Sequence, residues 1–338
     1  MKRNLKSSIS SKNTLLILTI LSILLGGLSF ILGGFSDLVL PGLIGVLAAL
    51  YLFDRKGRFS MIASIILVAL NIGGFVMGIN YTVFGMFAII AAMLISVAYI
   101  RGQSKSDTAF SATMISVILT VCAMILSAMI SLNDFSIDSA VKYYLDLYES
   151  IRLDYSELAV EYNTLIKELF PELYSTLEQG LTITDFADAF DYYFKSNVIA
   201  IVVISAFATV GFSMKIFGFI VGKCSDDKEH IRQWRFSMST PYALFYVLLG
   251  LAYVFTGLSE NIFAFSVSNL YTIFLAVFAY AGFKTIVEFL GKKMHIALSF
   301  LIVSAASLML VSFAPQILAM VGAISTIRYN RRLLSDNN

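Results

Sequence analysis

Two side-chain amides, Asn71 and Asn269, each lie seven residues inside the outer end of a long apolar run, a depth of about 10 Å at helical rise. An amide carries two donors and an acceptor, and in an apolar setting it seeks partners wherever they are. Two roles are open to this pair: hydrogen bonding between helices, or a ligand pocket open to the outside. Asn71 and Asn269 are therefore the candidate substrate-binding residues. A second pattern is aromatic. Tyr148, Tyr155 and Tyr162 recur every seven residues, the last two within the acidic stretch DYSELAVEYNTLIKELFPELY at 154–174. Tyrosine pairs a large apolar ring with a polar tip, so these three are candidate partner-binding residues.

Covalent chemistry has little to work with. The chain holds no phosphate-binding glycine loop, no G-x-S-x-G elbow and no H-E-x-x-H, and its two histidines, His230 and His295, fall in different loops. No Asp, Glu, His, Lys or Arg occupies the centre of an apolar run; Lys215, Lys284 and Glu288 come just past run ends, where long side chains snorkel. Cys122 lies in mid-run and Cys224 in a loop, an arrangement unsuited to an intrachain disulfide. These absences predict a non-enzymatic protein with no catalytic residue, no metal and no cofactor.

The elements that position these residues follow from composition. Of 338 residues 58% are hydrophobic and 14% charged, with four prolines and a mean hydropathy of +0.83, which excludes an ordinary soluble domain. Crossing about 30 Å of hydrocarbon takes roughly 17 to 25 apolar residues as a helix. Such runs fall near 14–33, 38–53, 59–78, 82–100, 109–132, 197–214, 241–258 and 262–283. The last tract, 296–327, would be about 48 Å long as one helix, so a hairpin turning near Ala314-Pro315 is expected. The fold class is an all-α polytopic bundle of ten spans. The first run is read as a retained helix, since no A-x-A-like site follows it.

Short loops rich in Lys and Arg stay cytoplasmic. Lys2, Arg3, Lys6 and Lys12 precede the first run, Arg55, Lys56 and Arg58 follow the second, and Arg328, Arg331 and Arg332 close the chain. The alternate loops near Asp37, Asn80, Glu260 and Pro315 contain neither residue. Both termini are expected in the cytoplasm of a bacterial cell, with the protein in the plasma membrane. The chain divides into residues 1–132 with five spans, an extracytoplasmic segment 133–196, and 197–338 with five more.

The outer segment holds 13 acidic against four basic residues, a net charge of −9. Its apolar positions, from Ile137 and Val141 to Leu165 and Leu169, alternate steps of four and three, a helical stripe that Pro171 should stop. A short second helix is expected from Pro171, and a third capped by Thr184, making a three-piece outer cap. The stripe suits either the protein's own surface and lipid headgroups or a partner. Gly74 and Gly78 form a G-x-x-x-G face for close helix packing. The expected partners are the bilayer, a small molecule from the outer side, and a membrane protein or second copy; no nucleic acid is expected.

The C-terminal half carries a resemblance. HIRQWRFSMSTPYALFYVLLGLAYVF at 230–255 places a basic W-R stretch before a proline-started span; NLYTIFLAVFAYAGFKTIVEFLGKKMH at 269–295 opens on Asn-Leu-Tyr; RYNRRLL at 328–334 is a basic tail. Over 197–334 the chain resembles the YybS-like family of bacterial polytopic membrane proteins, a family without a settled activity. Members are distantly similar to the substrate-binding membrane subunits of energy-coupling-factor transporters, which implies capture of a small molecule from outside. Those subunits dock their partner through A-x-x-x-A on the first span, a motif that TLLILTILSILLGGLSFILGG lacks.

Overall fold

The computed structural model describes residues 12–32, 38–76, 83–169, 171–172, 183–224, 238–256, 261–309 and 313–335. Regular structure among the described residues is helical throughout: α1 (Lys12–Leu32), α2 (Leu40–Phe53), α3 (Arg58–Val76), α4 (Val83–Ile100), α5 (Lys105–Ser131), α6 (Ile137–Leu169), α7 (Ile183–Cys224), α8 (Thr240–Thr256), α9 (Ile262–Gly291), α10 (Ile296–Met309) and α11 (Ala314–Ser335). Among the described residues four helices are long and apolar enough to cross a membrane, at Lys12–Ser29, Lys105–Ser131, Phe190–Cys224 and Ile262–Gly291; five shorter helices are also apolar.

Three of the four prolines, Pro41, Pro241 and Pro315, occupy the second position of α2, α8 and α11. There a missing N–H costs nothing, because first-turn amides have no intrahelical acceptor. The 296–327 tract is two helices, α10 and α11, and the second starts at the Ala314-Pro315 pair. The stripe from Ile137 to Leu169 is one helix of 33 residues. Downstream the expectation differs from the structure. α7 runs unbroken for 42 residues from Ile183, one residue ahead of Thr184, so the third piece of the outer cap and the sixth apolar run are one helix. No proline or glycine separates 183 from 210, and nothing else in that stretch interrupts the backbone ladder. The second cap piece, expected from Pro171, lies outside the described residues beyond 172.

The chain forms two compact units, one comprising 1–123, 202–243 and 324–338, the other 124–201 and 244–323. The first is organised around α2, whose sequence LPGLIGVLAALYLF is apolar on every face. A helix of that pattern has no side to show to water, and Leu43, Ile44, Leu47, Ala48, Ala49 and Leu50 are each at most 1% exposed. Helices α1, α3 and α4 pack on it. Gly45 admits α7 on a further side: a Cβ there would stand 2.8 Å from the Ser213 carbonyl oxygen and from Ile216 Cβ. At the α2–α3 turn Gly57 takes φ +70°, and the buried Asp54 carboxylate accepts from Ser60 N–H at 2.8 Å and Ser60 Oγ at 3.0 Å, capping α3.

In the second unit α9 and α11 approach backbone to backbone. A Cβ on Gly282 of α9 would fall 1.8 Å from the Leu318 carbonyl oxygen, and one on Gly322 of α11 would fall 2.0 Å from the Phe278 carbonyl oxygen. Gly282 and Gly322 thus do in this unit what was expected of a glycine face earlier in the chain. Aromatic rings fill the neighbouring space, with Tyr271 stacked on Tyr253 at 4.7 Å and on Tyr246 at 5.9 Å.

Gly322→Ala should therefore destabilise the protein by about 1 to 3 kcal/mol through overpacking, whereas Gly211→Ala, with nothing within 4 Å of the new Cβ, should gain up to about 1 kcal/mol from helix propensity. Thermal unfolding in one detergent compares the two, and equal melting temperatures would contradict the assigned approach.

Candidate functional site

Asn269 is 5% exposed and its amide is spent on its own unit. Oδ1 accepts from Ala200 N–H at 2.9 Å, while Nδ2 donates to the Lys195 carbonyl at 3.3 Å and to the Phe265 carbonyl at 2.9 Å. The side chain of α9 thus bridges a carbonyl and an amide five residues apart on α7, one residue wider than the α-helical step. Beside it Thr272 Oγ1 donates to Asn197 Oδ1 at 3.4 Å. This is the helix-joining role of the two that the sequence left open.

Asn71 lies in the other compact unit. Its Nδ2 donates to the carbonyl of Leu67, one turn back on the same helix, at 2.6 Å. Gly74 lies in the last turn of α3, its surroundings outside what the structure describes, and Gly78 lies outside the described residues. Tyr155 and Tyr162 are on α6, but their side chains are likewise outside what the structure describes.

Tyr148 turns toward its own chain. Its ring packs on Phe194 at 4.7 Å and Phe190 at 5.7 Å, and its hydroxyl donates to Asp191, which also pairs with Lys195. One turn earlier Tyr144 donates to the Met124 carbonyl at 3.0 Å, and Ala140 is fully buried. Tyr144 and Tyr148 therefore seat α6 on its own unit. Removal of the Tyr148 phenol from water, then its bond to Asp191, pushes its pKa up to about 12. Lys195 first and Tyr148 second hold the Asp191 carboxyl below its ordinary value.

A polar cavity of about 240 Å³ lies in the first unit, lined by Ser104, Ser106, Asp107, Phe110, Met238, Ser239 and Tyr242. Ser104 caps the start of α5: Asp107 N–H donates to Ser104 Oγ at 3.1 Å, and Ser104 Oγ donates to Asp107 Oδ2 at 2.6 Å. Ser104 Oγ also lies 3.0 Å from Ser106 Oγ. Opposite, Phe110 stacks on Tyr242 with ring centres 5.8 Å apart and planes 14° from parallel. The cavity thus combines hydroxyls, one carboxylate and a flat aromatic wall. Sequence reasoning passed over it. The signals were SKSD at 104–107 and STPY at 239–242, both helix-start signatures that bring polar side chains to one place.

Among the described residues no group of three or more His, Cys, Asp or Glu is arranged to hold a metal. His295 accepts from Ala297 N–H at 3.3 Å and caps α10, and Lys284 pairs with Glu288 at 3.8 Å on α9. No protein-family model matches the chain, and no curated protein or solved structure matches it.

Replacing Asn269 with leucine strands the Ala200 N–H and the Lys195 carbonyl, an expected loss of about 1 to 3 kcal/mol. Asn71→Leu should change stability by less than about 0.5 kcal/mol; chemical denaturation of both variants in the same micelles tests the difference. The α6 seat has its own pH window. Asp191, depressed in the fold, stabilises above the free carboxyl value near 3.9 and loses that contribution as pH falls through its folded value. Tyr148, raised in the fold, stabilises below about pH 10 and loses its contribution as pH climbs toward about 12. The ultraviolet titration of wild type minus Tyr148→Phe should isolate one phenol with a midpoint near that upper value, and a midpoint near 10 would refute the seat.

Proposed function

We propose that this chain is a multi-pass protein of a bacterial plasma membrane, with ten spans and both termini cytoplasmic, that binds a small molecule and serves as a non-enzymatic binding or transport subunit. The ten-span count rests on the four long apolar helices, the shorter apolar ones and the alternation of Lys- and Arg-bearing loops with loops that have none. Membership in the YybS-like family belongs to the same proposal, on the motifs quoted for residues 197–334.

The observation that carries the reading is the cavity at Ser104, Asp107 and Tyr242. In the proposed orientation it belongs to the cytoplasmic side, next to the loop bearing Arg101 and Lys105, so the ligand is met there and not at the outer amides first considered. Asp107 spends one carboxylate oxygen on Ser104 and retains a second. With three serines and the Phe110–Tyr242 wall, that favours a small hydroxylated or amine-bearing molecule.

Native mass spectrometry of protein purified from its own cells into lipid nanodiscs should show a small-molecule adduct on the wild type. Asp107→Asn combined with Tyr242→Ala should lower its retention at least tenfold, and Asn71→Leu should leave it unchanged. Ser104→Ala, which removes an N-cap worth about 1 kcal/mol, controls for a loosened α5. An adduct retained equally by all four proteins would sink the assignment.

A further inference from the structure

Helix α6 is seated through Tyr144 and Tyr148, and beyond them the same stripe carries Ile151, Leu165 and Leu169, which are 45%, 54% and 66% exposed on one unbroken helix. Its border is charged on one side. Asp154, Glu161 and Glu168 recur at seven-residue intervals along one flank of the stripe, and the whole helix carries seven acidic and three basic residues.

We propose that the C-terminal half of α6 is a docking surface for a partner helix with an apolar seam flanked by lysine or arginine. Charge selects this occupant. A row of carboxylates beside an apolar seam is answered by cations at the flanking positions of the facing helix. A second copy supplies none: in antiparallel pairing the acidic row meets itself, and in parallel pairing it meets the positions of Ala159 and Ile166. A phospholipid surface presents phosphates at headgroup level, and anionic lipids attract basic and not acidic helices.

The test uses the full chain in lipid nanodiscs and two synthetic helical peptides with the same leucine seam, flanked in one by lysine and in the other by glutamate. The lysine peptide should bind at least tenfold more tightly, with an affinity that falls as salt is raised. Glu161→Lys with Glu168→Lys, both at exposed positions, should reverse the preference, and Leu165→Asp with Leu169→Asp should abolish binding of either peptide. A preference unmoved by the charge reversal, or binding that survives the two aspartates, would overturn the assignment. So would a dimer by sedimentation that the aspartates dissociate, which makes a second copy the occupant, or quenching of a fluorophore at residue 169 by brominated lipid, which makes it the bilayer.

Discussion

Every polar group of the backbone must find a partner, and in a chain this apolar those partners have to come from the chain itself. Helices satisfy the interior of each segment, so the unsolved groups collect at the ends. Local side chains answer them there. Asp54 closes the start of α3, Ser104 that of α5, Asn261 that of α9 through Ala264 N–H at 2.8 Å, and His295 that of α10. Asn269 extends the same logic across helices. Much of what looks chemically suggestive in the sequence, a histidine, a mid-run asparagine, a buried carboxylate, is thereby accounted for as backbone satisfaction.

The cavity is a by-product of that constraint. Two helix starts, those of α5 and α8, bring serines and an aspartate to one place because helix starts call for such residues. Once there, Asp107 has a carboxylate oxygen beyond the one that Ser104 engages, and the ring pair beside it supplies a surface for an organic molecule.

Helix existence was legible in the sequence wherever a pattern was long: the 33-residue stripe of α6 and the proline-started helices fall where periodicity and proline place them. What was not legible depends on neighbours far away in sequence. The partners of Asn269 at 195 and 200 cannot be inferred from spacing, nor can the difference between Asn269 and Asn71, which share a depth but not an environment. The G-x-x-x-G face at Gly74 and Gly78 pointed to α3, yet the backbone contact of α9 with α11 involves one glycine from each of two late helices. The α6 stripe announced an amphipathic helix; that Tyr144 and Tyr148 are its seat while Leu165 and Leu169 stay exposed required coordinates.

The contact of Gly282 with Gly322 has a consequence for how far the second unit can adjust. At both positions the facing atom is a main-chain carbonyl oxygen, which no compensating side-chain change can trim away. Neither glycine can be enlarged singly, and no pair of larger residues restores the approach. Any side chain at either position has to move one whole helix off the other, so this crossing has a single distance and no graded alternative.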